Sequence, residues 1–142
     1  MIAPDVNVLV YAAWEGAQDH AAYKSWLEAA RQHSRPLILF EPVLAGLFRI
    51  LSHRRIFSQP FTFKEVEEWV DALLETDSVR LARAGERHWN IFVGLCRTTR
   101  ATGNLVADAY LAALAIEHGC EWISTDHDFA RFPGLKWSHP LG

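Results

Sequence analysis

Apolar residues fall along this chain in two alternating textures. Short unbroken runs such as Leu37-Ile38-Leu39-Phe40 have no polar face and suit strands covered on both sides. Between them, apolar positions recur every three or four residues, the spacing of helices with one buried stripe. Residues 1–6 predict a first strand, and residues 8–13 shade into a helix. A helix over 20–31 groups Ala21, Ala22, Trp26, Leu27 and Ala30, with Asp19 as N-cap, and Pro36 bars its continuation. Leu37–Phe40 is then a buried strand. A helix over 42–52 starts at Pro42 and turns Val43, Leu44, Leu47, Ile50 and Leu51 inward. Thr62-Phe63-Lys64-Glu65 has the form of a capping box and opens a helix over 63–75 with Val66, Trp69, Val70, Leu73 and Leu74 inward. Val79–Ala82 is the next strand, and 86–97 an amphipathic helix using His88, Trp89, Phe92, Val93 and Cys96. After the polar loop 98–103, Asn104 caps a helix ending at His118-Gly119. Residues 121–125 form a strand, 129–133 a turn and 135–137 an edge strand.

Helices alternating with short apolar strands predict an α/β fold of three α/β/α layers around a mostly parallel sheet. No repeat or linker interrupts residues 1–142, so one domain is expected. Half the residues are apolar and six are Trp, enough for a packed core. The net charge of −3 counts against a broad, nonspecific nucleic-acid binder but leaves room for a local basic rim. Two cysteines, Cys96 and Cys120, with no basic and apolar leader, point to reduced thiols in the cytoplasm. No apolar run approaches the ~18 residues of a membrane span.

Against that background the acids stand out. Asp5 interrupts the opening apolar run, Glu41 follows Leu37–Phe40, Asp108 lies inside Leu105-Val106-Ala107-Asp108-Ala109-Tyr110-Leu111, and Asp126 ends Trp122-Ile123-Ser124-Thr125, with Asp128 two residues on. A buried carboxylate needs a partner charge, hydrogen bonds or a cation. Turn and cap roles would explain each acid separately, whereas one hard divalent ion with oxygen ligands explains them together. In parallel sheets, ligands sit off the carboxyl ends of the strands, where Asp5, Glu41 and Asp126 fall. Asn7, two residues after Asp5, is suited to orient it. Zinc would want a tighter His and Cys set than His118, Cys120 and His127 provide. Among the basic residues, Arg49, Arg54, Arg100 and Arg131 are candidates for a phosphate-binding rim.

Three segments also resemble a known family. Asp5-Val6-Asn7-Val8-Leu9-Val10-Tyr11-Ala12, Asn104-Leu105-Val106-Ala107-Asp108-Ala109-Tyr110-Leu111 and Ser124-Thr125-Asp126-His127-Asp128-Phe129 are similar to the opening, central and closing motifs of PIN domains. As a set they resemble the VapC toxins of bacterial type II toxin–antitoxin pairs. The resemblance implies a Mg²⁺- or Mn²⁺-dependent endoribonuclease acting on tRNA or other structured RNA, inhibited by a VapB-type antitoxin and commonly a homodimer. By position it implies metal ligation by Asp5, Asp108 and Asp126, a catalytic role for Glu41, and an auxiliary one for Asp128. An antitoxin would be expected to bring a basic residue, Arg above all, to the carboxylates, along a groove at residues 43–51. Two rivals compete. An aspartyl-phosphate phosphatase would want Asp where Asn7 stands, and a non-catalytic interaction module would keep the fold without the activity.

Overall fold

The computed structural model describes residues 1–142 and has a five-stranded, wholly parallel sheet in the order β3-β2-β1-β4-β5. The strands are β1 (Ile2–Pro4), β2 (Leu37–Phe40), β3 (Val79–Ala82), β4 (Glu121–Ile123) and β5 (Trp137–Ser138). Six helices flank them: α1 (Val6–Ala13), α2 (His20–Gln32), α3 (Glu41–Leu51), α4 (Phe63–Leu74), α5 (His88–Thr99) and α6 (Asn104–His118). A 3₁₀ turn, His127–Arg131, follows β4. Helix α1 packs against α2 and α3, α3 against α4, and α5 against α6. The expected three-layer α/β/α fold is therefore present. No helix is long and apolar enough to cross a membrane.

The core is continuous. Leu37, Leu39 and Phe40 of β2 are fully buried and Ile38 nearly so, which is why that strand reads as an unbroken apolar run. Trp122, Phe40 and Phe129 are the largest fully buried side chains, and Trp122 packs against the other two. The capping box on α4 forms as expected: Glu65 N–H donates to Thr62 Oγ1 at 3.1 Å, and Thr62 N–H to Glu65 Oε1 at 3.0 Å.

Element ends differ from the sequence expectation where a polar side chain serves a different neighbour. The first strand stops at Pro4 because Asp5 is the N-cap of α1, which takes in Val6 and Asn7. Glu41 is itself the first residue of α3, with Pro42 in the first turn. Asp19 holds the N-cap position of α2, but its φ is 59° and its side chain makes no cap bond; its carbonyl accepts N–H from Ala22 and Tyr23 instead. Asn104 is the first residue of α6 and does not cap it, because Gly103, at φ 57°, occupies the N-cap. A positive φ of this kind costs glycine little. Trp89 lies outside, 65% exposed, and Leu95 takes the buried place on α5. Strand β4 ends at Ile123, two residues before the expected end.

Candidate active site

Because all five strands run the same way, β1, β2 and β4 deliver their following residues to one edge of the sheet. Pairing of Pro4 with Ile123 sets Asp5 beside Ser124. Asp5 is 5% exposed and held from two sides. Its Oδ1 accepts the Val6 N–H at 2.7 Å, and its Oδ2 accepts the Ser124 hydroxyl at 2.7 Å. Burial pushes its carboxyl up, the bonds from Ser124 and Val6 pull it down, and the charge of Asp126 pushes it up again; the balance is a raised pKa.

Ser124, fully buried, also accepts the N–H of Asp126 at 3.1 Å. Asp126 Oδ1 in turn accepts the N–H of Asp128 at 2.9 Å and caps the 3₁₀ turn. The second turn of α6 carries Asp108 to the same place. Carboxylate oxygens of Asp108, Asp126 and Asp128 lie within 4.8 Å of one another. Burial first, then the charges of Asp126, Asp5 and Asp128, push the Asp108 carboxyl up to about 6. None of these four acids has an ion-pair partner. Crowded like charges with no ion-pair partner, all with hard oxygen donors, suit a divalent cation.

The other predicted residues divide. Glu41 follows β2 on the same edge, yet it pairs with Arg83 at 3.5 Å on the surface and is not among the three converging acids. Asn7 sits half-buried in the first turn of α1, and the groups that hold Asp5 are the Val6 amide and Ser124. Arg49 lines a cavity of about 340 Å³ with Asp5, Val6, Pro42, Val43, Gly46 and Tyr110. Arg54, Arg100 and Arg131 are exposed and line no part of that cavity. Ser124 was missed. The signal was available: a hydroxyl just after a buried strand and two residues before an acid has its natural use in bonding carboxylates.

An acid-bearing carboxyl edge on a parallel sheet in this order defines an α/β domain with a candidate cation site, and the comparisons narrow it. The model of the PIN domain matches residues 2–135, and the chain belongs to that family. Within it the chain falls with the VapC proteins. It is 44% identical over 141 residues to ribonuclease VapC43 of Mycobacterium tuberculosis, covering 99% of this chain and 96% of that one. Two solved structures share the fold. VapBC2 of Rickettsia felis, bound to a promoter DNA fragment, superposes with a TM-score of 0.73 at 19% identity over 98% of both chains. VapC20 of Mycobacterium tuberculosis, described as a Sarcin-Ricin loop cleaving toxin, gives 0.64 at 18% identity, covering 96% of this chain and 99% of that one.

Proposed function

We propose that this chain is the toxin of a type II toxin–antitoxin pair: a divalent-metal-dependent endoribonuclease that hydrolyses phosphodiester bonds in tRNA or other structured RNA. It acts in the cytoplasm as a single-domain homodimer and is neutralised by a VapB-type antitoxin. The observation that carries this reading is the convergence of Asp108, Asp126 and Asp128 beside the buried Asp5, none of them in an ion pair. The kinship with VapC43, a named ribonuclease, supports it, as does the RNA-cleaving VapC20 of the same fold.

Asp5, Asp108 and Asp126 would hold Mg²⁺, or Mn²⁺ in its place, with Asp128 as an auxiliary acid. When bound, such an ion acidifies a water and offsets the charge that builds on the phosphate. The protein's own part is orientation. Ser124 and the Val6 amide fix both oxygens of Asp5, and Ser124 ties the Asp126 backbone to the same point. Glu41 completes the catalytic acids from the end of β2. Arg49, Arg54, Arg100 and Arg131 receive the flanking phosphates, and single-stranded RNA reaches the edge more easily than a closed duplex. The antitoxin lays an apolar side chain in the cavity lined by Val43, Gly46 and Leu111 and brings an Arg to Asp5.

The test is cleavage of end-labelled tRNA and structured RNA with Mg²⁺, with Mn²⁺, with EDTA, and by Asp108→Asn. Discrete cuts are expected with metal alone, reduced at least ~100-fold in the variant. A folded wild type that binds no divalent ion and cuts nothing would leave the non-catalytic interaction module in its place.

A further inference from the structure

A second cavity, of about 330 Å³, opens beside the acidic edge at Thr125, the residue between Ser124 and Asp126. Its walls are aromatic: Tyr11 and Trp14 at the end of α1, and Tyr23 from α2. Tyr11 and Tyr23 pack with ring centroids 5.0 Å apart. Gln18 and Asp19 form its polar rim. Tyr11 is six residues beyond Asp5 on one helix, roughly 9 Å along the axis. An occupant would therefore sit next to any phosphate held at the acids.

Three features mark the cavity as built for a ligand. Tyr23, 6% exposed as a residue, lines the cavity, and its hydroxyl makes no hydrogen bond within the protein and reaches solvent, free to bond a ligand. Burial, then the nearby Tyr11 and Asp19, push this hydroxyl up, so it stays a neutral O–H donor. Asp19 holds a left-handed backbone at φ 59°, while its exposed carboxylate neither caps α2 nor pairs with a cation. Finally, a hydrogen bond of 2.8 Å between His20 Nδ1 and the Tyr11 carbonyl ties α2 to α1 and keeps the walls in place.

Aromatic faces accept a planar ring, and a rim of acceptors selects by its edge. We propose that this cavity is a nucleobase pocket that receives an unpaired guanine beside the cleaved phosphodiester, with the Asp19 carboxylate accepting N1–H and N2–H of the base. Guanine alone among the four bases sets two donors side by side on its Watson–Crick edge. Adenine and cytosine put a ring acceptor next to their amino group and so turn a lone pair toward the carboxylate. Uracil offers a single donor between two carbonyls. Gln18 and Thr125 remain for the other edge polar atoms, and the Tyr23 hydroxyl can donate to an acceptor such as O6. This assignment rests on the ribonuclease reading for its substrate, but not for its chemistry.

Two measurements separate the two ideas. The first is binding of 5′-GMP, 5′-AMP, 5′-CMP and 5′-UMP to the metal-free protein in EDTA, by calorimetry or chemical-shift titration. GMP is expected to bind about tenfold or more tightly than AMP, and Asp19→Asn to erase the preference. Asn tolerates the left-handed backbone, so an unchanged melting temperature shows that the variant folds; Tyr23→Phe provides a second, milder loss. Equal or absent binding of all four nucleotides, or a preference that survives in Asp19→Asn, overturns the proposal. The second is mapping of cut sites on randomised transcripts. Guanine is expected at a fixed offset from the cut in the wild type, with the bias lost in Asp19→Asn. Cuts with no such bias sink the pocket and leave the ribonuclease standing. Selective GMP binding without any RNA cleavage does the reverse.

Discussion

Ser124 carries no charge, yet it couples the acids at both ends of the sequence, donating to Asp5 and accepting from the Asp126 amide. Burial, and then repulsion from Asp126, Asp5 and Asp128, raises the Asp108 carboxyl from 3.8 to about 6. The folded protein thus holds this proton more tightly than the unfolded chain does. Stability of the metal-free fold falls as pH climbs from about 4 to about 6, and the full penalty remains above that. Asp108→Asn removes it. In EDTA near pH 8 the variant should melt higher than the wild type, by about 1 kcal/mol once solvent screening is allowed for, with the gap closing near pH 4. Calorimetry at the two pH values checks this. A variant that melts lower near pH 8 would mean that the acids do not strain the fold. The same substitution that should abolish cleavage should therefore stabilise the empty protein, a trade common at active sites.

At the scale of elements, Glu117 shows how α6 also positions its neighbour. Its carboxylate accepts N–H from Gly85 at 2.7 Å and from Arg87 at 3.0 Å, docking the entry to α5. A Cβ on residue 85 would come within 2.6 Å of Glu117 Oε2, so any larger residue there would push the carboxylate off its two bonds. Burial raises the Glu117 carboxyl, but the bonds from Gly85 and Arg87, with His118 and His88 nearby, lower it on balance. Its contribution is therefore present above 4.5 and is lost as pH falls through the depressed folded value. Glu117→Gln should cost about 1 kcal/mol at neutral pH and little in acid, as denaturant titrations at the two conditions would reveal. Sequence reading recovered the elements whose signals are local: the apolar run of β2, the Thr62 capping box and the Pro42 start of α3. It misjudged ends set by tertiary partners. Asp5 looked like part of a strand because only the fold brings Ser124 to it. Asp126 and Asp108 were legible as acids in apolar surroundings, but the exposed Asp128 gains its place beside them only through the turn after β4. The cavity at Thr125 left no trace in periodicity, since its walls join residues 11–23 to Thr125 far along the chain.

For the whole molecule, one cavity opens at Asp5 and another at Thr125; as proposed, the first receives a partner and the second the substrate. Gly46 opens the first of them, and a Cβ there would meet Val6 Cγ2 at 3.5 Å, an ordinary contact. Gly46→Leu should keep the fold, gaining roughly 0.5–1 kcal/mol from replacing a helical glycine. Its side chain would occupy the cavity and weaken binding of the purified VapB-type antitoxin about tenfold or more, the loss expected when one central anchor is displaced. Unchanged affinity would place the antitoxin elsewhere. The contact between Asp5 and Ser124 has a consequence in time as well. The two residues are 119 positions apart, so a nascent chain carries its first acid through most of translation without the others. Strand β1 keeps an open side until β4 arrives to pair with it, and folding during synthesis proceeds from the N-terminus. The acidic edge is thus incomplete on a nascent chain until the last strands emerge. Prematurely terminated products that end before α6 lack Asp108, Ser124, Asp126 and Asp128, and on the proposed mechanism they should cut no RNA.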